Sequence, residues 1–453
     1  MLLGNTRGTQ RLMFVSTKQR QIAKLARNNP TMAFTSLNHY MDYAWLHRAY
    51  QLTRKDGAVG IDRVTAIEYE RTLESNLQDL LNRIKSGRYQ APPIRRSYIP
   101  KGDGQRRPLG IPTFEDKIVQ RAVVMLLEPI YEMDFYDFSY GFRQRRSAHQ
   151  ALQNLRNRIM DERGRWVLDV DIQKYFDTID HQHLRQFLAK RVVDGVVRKL
   201  IDKWLKAGVV ESGKLAYPKR GTPQGGVISP LLANIYLHYV LDEWVDREVK
   251  PRMKGQISIT RFADDFVMVF EDYTDCHRVK RVLPKRFERF GLVLHPEKTQ
   301  QVDFRFRYRK ENLRKGKCVN FDFLGFTHYW GKSKRGKFIV CQKTAKSRVA
   351  RTLKAFNLFC KANRHRPPDE QQIQLNRKLL GHYAYFGITG NGKALRNVHH
   401  KVVRLWHKWL GRRSRKSYIT WDRFQILLKR LPLERAKIYH KYYKENQPAK
   451  QSI

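Results

Sequence analysis

Cysteine is scarce in this 453-residue chain, which contains only Cys276, Cys318, Cys341 and Cys360. No two of them form a Cys-x-x-Cys pair, so the sequence argues against a structural zinc site. We expect a reduced, intracellular environment. Because long apolar runs and a signal-like start are also lacking, we expect a cytoplasmic protein that does not insert into a membrane.

Acidic residues are few relative to basic ones. The chain has 42 Asp and Glu against 89 Lys and Arg, which gives a formal net charge of +47. Solubility does not require so one-sided a charge, and neither does ordinary metabolic chemistry. The excess indicates a polyanionic partner held through many phosphate contacts, and therefore a nucleic acid.

Among these few acids, Asp264 and Asp265 stand side by side between two segments rich in β-formers, residues 257–262 and 266–270. This pattern predicts a hairpin with an acidic tip. Neighbouring carboxylates repel each other and ionise readily only where cations are supplied, and hard cations such as magnesium prefer oxygen ligands. An Asp-Asp pair alone is also common in surface turns. On a basic protein, however, it indicates phosphoryl transfer on nucleic acid.

A third carboxylate is expected from the β-like segment 166–172. Asp171 at its end could face the hairpin tip across a sheet, and three carboxylates could bind two metal ions. Asp169 competes for this role, because residues two apart on a strand point to the same side.

Helical and extended patterns alternate up to about residue 342, which predicts an α+β fold. Helical patterns dominate after residue 343. The expected helices are 20–60 (in part), 62–87, 115–132, 181–207, 227–245 and 274–290, and the expected extended segments include 94–100 and one that begins at 292–294.

Several motifs occur in an order that resembles the bacterial group II intron-encoded reverse transcriptases. They are Asp171 followed by Phe176, the glycine-rich stretch 221–234, residues 262–265, 292–299 and 321–326, and upstream 99–112 and 139–143. The resemblance covers roughly residues 25–440. It implies a right-hand polymerase with fingers and palm at 61–342, after a basic N-terminal extension at 1–60. An all-helical thumb or maturase (X) domain at 343–412 and a small basic DNA-binding region at 413–453 would follow.

The resemblance also assigns roles to individual residues. Asp171, Asp264 and Asp265 would be catalytic and would hold two Mg²⁺ ions. The deoxynucleoside triphosphate would meet Lys101, Arg107, Gln224, Lys298 and Phe176, whose ring would exclude a 2′-hydroxyl. Phe262, Gly225 and Gly226 would lie near the primer and template. Phe262 departs from the family, which usually has Tyr there, so we expect altered fidelity or nucleotide handling rather than lost activity.

The predicted thumb mixes aromatic and basic residues, a composition that suits RNA grooves. Its RNA-binding candidates are Arg377, Lys378, His382 and Tyr383, although core packing is an alternative for the aromatic side chains. The endonuclease domain often appended in this family is not expected here, so primers such as nascent strands at replication forks would be used.

The implied function is RNA-directed DNA synthesis by target-primed reverse transcription, together with assistance to intron RNA splicing. Expected partners are intron RNA, a DNA target or primer and deoxynucleoside triphosphates, at the bacterial nucleoid. A homodimer is left open. Three alternatives stay open: a stand-alone relative in DNA repair, phage defence or spacer acquisition; a splicing-only RNA-binding maturase; and an RNA-templated RNA polymerase.

Overall fold

The computed structural model of the protein describes residues 7–100, 106–161, 164–218, 220–305, 319–333, 335–414 and 418–442. The chain forms two compact units. One comprises Met1–Ala151 and Val170–Gln301, and the other Leu152–Asp169 and Val302–Ile453. The domain boundaries expected at residues 60, 342 and 412 remain predictions.

Helices and strands alternate along the first two thirds of the chain. The helices are α1 Arg7–Asn28, α2 Tyr43–Leu52, α3 Ala66–Glu70, α4 Leu73–Lys85, α5 Phe114–Asp134, α6 Ala148–Asp161, α7 Tyr175–Thr178, α8 His181–Ala189, α9 Gly195–Leu205, α10 Ser229–Leu237, α11 Tyr273–Glu288, α12 Lys346–Ala362, α13 Pro368–Phe386, α14 Gly392–Leu410 and α15 Trp421–Arg430. The strands are β1 Ile94–Pro100, β2 Arg106–Ile111, β3 Trp166–Val170, β4 Val209–Glu211, β5 Lys214–Ala216, β6 Ile257–Phe262, β7 Asp265–Phe270, β8 Gln300–Asp303, β9 Phe321–Phe323, β10 Phe326–Lys332 and β11 Phe338–Thr344.

The described strands form three sheets, with the orders β2-β1-β4-β5, β6-β7-β3-β8 and β11-β10-β9. In the first sheet β1 pairs antiparallel with β2 and parallel with β4. The fold is therefore mixed α/β, as the alternating patterns predict.

The predicted acidic hairpin is confirmed. Strands β6 and β7 are antiparallel, and Phe262 pairs with Asp265 at the tip. All five residues after Asp265 in β7 are buried, which is the burial of a strand covered on both faces. Because this strand has no solvent side, its sequence is continuously apolar rather than alternating.

Several other predicted elements are confirmed, and three are wrong in detail. The helix expected over 181–207 is broken, because Asp194 caps a new helix by accepting hydrogen bonds from the backbone N–H groups of Val196 and Val197. The strand expected from 292–294 is reduced to a single bridge between Leu294 and Ile172. The helix over 62–87 divides into α3 and α4.

The second unit has a helical core. Its buried side chains come mainly from α12–α15 and include Phe356, Cys360, Leu375, Leu379, Tyr383, Leu395, Val398, Val402, Trp406, Leu410 and Phe424. The helical pattern expected after residue 343 is thus confirmed. No helix in the described part of the chain is long and apolar enough to cross a membrane.

Candidate active site

The hairpin tip brings the Asp264 carboxylate within electrostatic range of the Asp171 carboxylate. Asp171 follows β3 directly, and its carbonyl oxygen accepts a hydrogen bond of 2.8 Å from the backbone N–H of His295. At the tip, Ala263 has a φ of 57°, the left-handed conformation that a non-glycine residue seldom adopts. This turn ends β6 and starts β7 at Asp265, with Asp264 between them.

The pKa of the Asp264 carboxyl group reflects its burial and the charges around it. Burial is the main cause that raises the pKa of its carboxyl group above the ordinary value, and the nearby Asp171 carboxylate raises it further. A backbone hydrogen bond and the positive charges of Arg107 and Arg261 oppose this rise. The charges of Asp171 and Arg107 therefore both act on Asp264.

The donor set is suited to a hard divalent cation. Its atoms are carboxylate oxygens, and the mutual repulsion of Asp171 and Asp264 is what a cation would relieve. Asp171, Asp264 and Asp265 are the residues that would hold it. In the structure a cationic group already lies beside one of them, because Lys298 Nζ is 3.0 Å from Asp171 Oδ2. Among the described residues, no group of three or more His, Cys, Asp or Glu side chains is assembled as a metal site.

Two of the predicted triphosphate-binding residues, Lys101 and Arg107, belong to the segment around β2. Arg107 is exposed on β2, and its charge reaches Asp264. Lys101 lies outside the described residues. An exposed guanidinium beside a carboxylate site can pair with a phosphate oxygen through two parallel hydrogen bonds.

The glycine-rich turn packs directly on the same strand. The carbonyl oxygen of Gln224 accepts a hydrogen bond of 2.5 Å from the N–H of Gly110. Gly225 has a φ of 113°, and a Cβ on it would lie 2.5 Å from the carbonyl oxygen of Gly110. Only glycine fits here, since both the conformation and the space exclude a side chain. A Cβ on Gly226 would lie 2.7 Å from Ser229 Oγ.

Two buried polar residues that the sequence analysis missed hold this turn. Gln120 Oε1 accepts hydrogen bonds from the backbone N–H groups of Val227, at 2.7 Å, and Ile228, at 3.3 Å. Gln120 Nε2 in turn donates to Asp116 Oδ2 at 2.9 Å. In the sequence these residues stand out only as two polar side chains four apart on an apolar helix. Their role is not visible there, because the turn that Gln120 binds lies about a hundred residues later in the chain.

Two further candidates, Phe176 and Phe262, are both half-buried. Phe176 is half-buried in α7, and its carbonyl oxygen accepts a hydrogen bond of 2.7 Å from the N–H of Thr222, which ties α7 to the glycine-rich turn. Phe262 is half-buried at the end of β6. Its pairing places it directly opposite Asp265 on the neighbouring strand.

The four RNA-binding candidates divide into two pairs. Arg377 and Lys378 are exposed on α13. Tyr383 is fully buried in the helical core, where its hydroxyl contacts His399 Nδ1 and the carbonyl oxygen of Glu434, and His382 is only 8% exposed. Interior packing therefore accounts for His382 and Tyr383, and Arg377 and Lys378 are the pair that a phosphate can reach.

The chain is similar to several known proteins. Residues 99–328 match the family model for reverse transcriptase (RNA-dependent DNA polymerase). The chain is 35% identical to protein YkfC of Escherichia coli over 57% of its own length and 76% of that protein. It is 38% identical to the group II intron-encoded protein LtrA of Lactococcus lactis over 50% of its length, but only 37% of that relative is covered. A putative COX1/OXI3 intron 1 protein of Saccharomyces cerevisiae is 30% identical over 49% of this chain and 32% of its own.

Proposed function

The chain belongs to the reverse transcriptase family, in the type encoded by group II introns, and on this premise we propose that it copies intron RNA into DNA from a primer 3′-end. The observation that carries the proposal is the electrostatic coupling of Asp264 to both Asp171 and Arg107. This coupling supports one site with carboxylates for cations and a guanidinium for phosphate.

Each residue then has a part in nucleotide addition. Asp171, Asp264 and Asp265 would hold two Mg²⁺ ions, which would supply activation of the attacking 3′-hydroxyl and charge stabilisation at the phosphorus. Arg107 and Lys101 grip the triphosphate and neutralise the charge that develops on it. Gln224 lies against the nucleotide, with Gly225 and Gly226 allowing close approach. Lys298 supplies a further positive charge beside Asp171.

The site is tested by primer extension on an RNA template with Asp264→Asn beside the wild type. We expect kcat to fall by about three orders of magnitude or more, because an amide cannot replace the anionic ligand. Asp246→Asn is the matched control, since Asp246 pairs with Lys250 at 2.7 Å on the surface of the same unit. Equal activity of Asp264→Asn and the wild type would remove the metal assignment.

We attribute the preference for deoxynucleotides over ribonucleotides to Phe176. Its ring would occupy the space of a 2′-hydroxyl, so Phe176→Ala should raise the ratio of ribonucleotide to deoxynucleotide incorporation. An unchanged ratio would reject the gate and reopen the RNA-templated RNA polymerase as an alternative. Tyr175→Phe is the neighbouring control, because Tyr175 is buried and its hydroxyl donates to the carbonyl of Ala233 rather than facing a substrate.

We further propose that the protein binds its intron RNA, assists splicing, and takes part in target-primed integration as a maturase. The net charge of +47 and the exposed Arg377 and Lys378 support a phosphate-binding surface on the helical unit. Residues 343–412 would form the thumb and 413–453 a DNA-binding region.

The RNA surface is tested by the salt dependence of intron RNA binding. Arg377→Ala with Lys378→Ala should lower the slope of log K against log salt by roughly 1 to 2, because up to two phosphate contacts are lost. The charge-preserving double variant Arg377→Lys with Lys378→Arg should keep the wild-type slope. If the slope is unchanged in the double alanine variant, Arg377 and Lys378 do not contact the RNA phosphates.

A further inference from the structure

A buried arginine lies directly behind the acidic turn. The side chains of Arg261 and Asp242 are both 0% exposed. Arg261 Nε donates to Asp242 Oδ1 over 2.8 Å, and Arg261 Nη2 donates to the other carboxylate oxygen. Asp242 lies in the π-helical turn that continues α10, and Arg261 lies near the end of β6. The ion pair therefore joins this helix to this strand.

The same guanidinium holds the turn itself. Arg261 Nη1 donates to the carbonyl oxygen of Ala263 and to Asn234 Oδ1, each over 3.0 Å. Ala263 is the left-handed residue immediately before Asp264. Such a conformation is strained in a non-glycine residue and persists only when the surroundings enforce it. Arg261 is one of the groups that enforces it.

A second segment, which contains Gly141, packs against the turn. Asn234 Nδ2 donates to the carbonyl oxygen of Gly141 over 2.6 Å. A Cβ on Gly141 would lie 2.2 Å from the backbone nitrogen of Ala263, so the two backbones are in direct contact. The amide of Asn234 thus links the guanidinium to the segment that Ala263 packs against.

A fully buried ion pair is weak evidence for a stabilising role, because the cost of removing both charges from water offsets their attraction. A guanidinium with several acceptors in fixed directions is better suited to hold one geometry. Arg191 gives a direct comparison within the same unit. It is also buried and pairs with Asp134 over 2.8 Å, but its other acceptors are the carbonyl oxygens of residues 26, 29, 30 and 32.

We propose that Arg261 is a positioning residue that, with Asp242 and Asn234, fixes the left-handed turn at Ala263 and so aims the Asp264 carboxylate at the divalent cation. This inference rests on the proposed function. Lysine cannot replace the arginine here, because one ammonium group cannot reach Asp242, Asn234 and the carbonyl of Ala263 in the planar directions that the guanidinium satisfies.

The test compares Arg261→Lys with Arg191→Lys. Three quantities are measured for each: the free energy of unfolding in urea, Mn²⁺ binding by electron paramagnetic resonance without substrates, and kcat and KM in primer extension. Both variants should lose stability. Only Arg261→Lys should weaken Mn²⁺ binding, by about 10- to 100-fold, the usual effect of losing a group that orients a metal ligand. Its kcat should fall while the KM for deoxynucleotide stays within about two-fold of wild type.

Mn²⁺ binding and kcat in Arg261→Lys that match Arg191→Lys would overturn the proposal. If Arg261→Lys does not fold, Asn234→Ser decides, because it removes one acceptor of Arg261 and the donor to Gly141. Weakened Mn²⁺ binding by this variant supports the proposal, and wild-type binding overturns it. Asp264→Asn distinguishes a failure of the proposed function from a failure of the positioning role. If Asp264→Asn is inactive while Arg261→Lys behaves as Arg191→Lys, the proposed function stands and the positioning role fails.

Discussion

Lys298 donates a hydrogen bond from its ammonium group to Asp171 Oδ2 over 3.0 Å. The side chains are 55% and 31% exposed, so the pair contributes only about 0–1 kcal/mol and is easily exchanged. A divalent cation at Asp171 must share the carboxylate with this ammonium group or displace it. The pair therefore sets a small electrostatic cost on cation binding.

Replacing Lys298 with alanine should separate cation binding from catalysis. We expect Lys298→Ala to bind Mn²⁺ a few-fold more tightly, because about 1 kcal/mol of competition is removed, and to have a lower kcat, because a positive charge beside the phosphates is lost. Lys250→Ala, which breaks the surface pair with Asp246, should change neither. Weaker Mn²⁺ binding by Lys298→Ala would contradict this account.

The resemblance to the reverse transcriptase family implies a tyrosine at the position of Phe262. Phe262→Tyr should keep primer extension active but shift misincorporation frequency or nucleotide KM, because a hydroxyl is added to the residue opposite Asp265. Both quantities are measured by single-nucleotide extension on an RNA template. Phe338→Tyr on β11 is the control for adding a hydroxyl to a half-buried strand residue. If fidelity and affinity are both unchanged in Phe262→Tyr, the ring does not act on the nucleotide.

Gln120 holds the glycine-rich turn of the proposed nucleotide site and is not expected to touch the nucleotide. Gln120→Met keeps the volume but removes the acceptor for the N–H groups of Val227 and Ile228. Leaving such groups without partners costs about 1–3 kcal/mol, so we expect the KM for deoxynucleotide to rise about ten-fold, with a smaller change in kcat.

Gln371→Met is the matched control for this variant. Gln371 is also buried, and it donates to the carbonyl of Arg366 and accepts from Trp406 Nε1 in the helical unit. It should lower stability while leaving the nucleotide KM unchanged. Equal KM values in the two variants would show that Gln120 has only a structural role.

Asp116 makes stability depend on pH. Burial raises the pKa of its carboxyl group to about 6, against hydrogen bonds from Tyr89, Trp204 and Gln120 that lower it. The folded state therefore holds this proton more tightly than the unfolded state, in which the pKa is about 3.9. Its contribution to stability is fully present below that value and is lost as the pH rises through about 6, a change of about 3 kcal/mol.

Urea unfolding of wild type and Asp116→Asn from pH 4.5 to 7.5 measures this contribution. The free energy of unfolding of the wild type should fall more steeply with rising pH than that of the variant. Burial also raises the pKa of Asp134 to about 6. Asp134 is present in both proteins, so its contribution cancels in the difference between the two pH profiles. Parallel pH profiles would mean that Asp116 does not titrate in this range.

The elements that the sequence predicts well depend on local patterns. The β6–β7 hairpin follows from two runs of β-formers around Asp264 and Asp265, and α5 from a regular apolar spacing after a threonine cap at Thr113. The helix break before α9 was missed, because Asp194 binds backbone groups at Leu37 and Asn38 as well as its own helix. A sequence pattern does not reveal a partner so distant in the chain.

The same limit applies to the candidate site. The side chains expected to face a cation or a phosphate are named by motif, and their types already indicate their chemistry. The side chains that hold them, Arg261, Asp242, Asn234 and Gln120, are polar residues within apolar segments. Their roles depend on which backbone groups the fold brings next to them. His382 and Tyr383 show the converse, because basic and aromatic residues in one segment do not reveal which of them face inward.

The hydrogen bond between Gly110 and Gln224 has a consequence for the order of events during synthesis. Strand β2 leaves the ribosome long before the glycine-rich turn does, so the nascent chain at first carries only one side of the proposed nucleotide site. The contact forms only when the later segment has emerged and folded back, and a polypeptide truncated before residue 224 cannot form it.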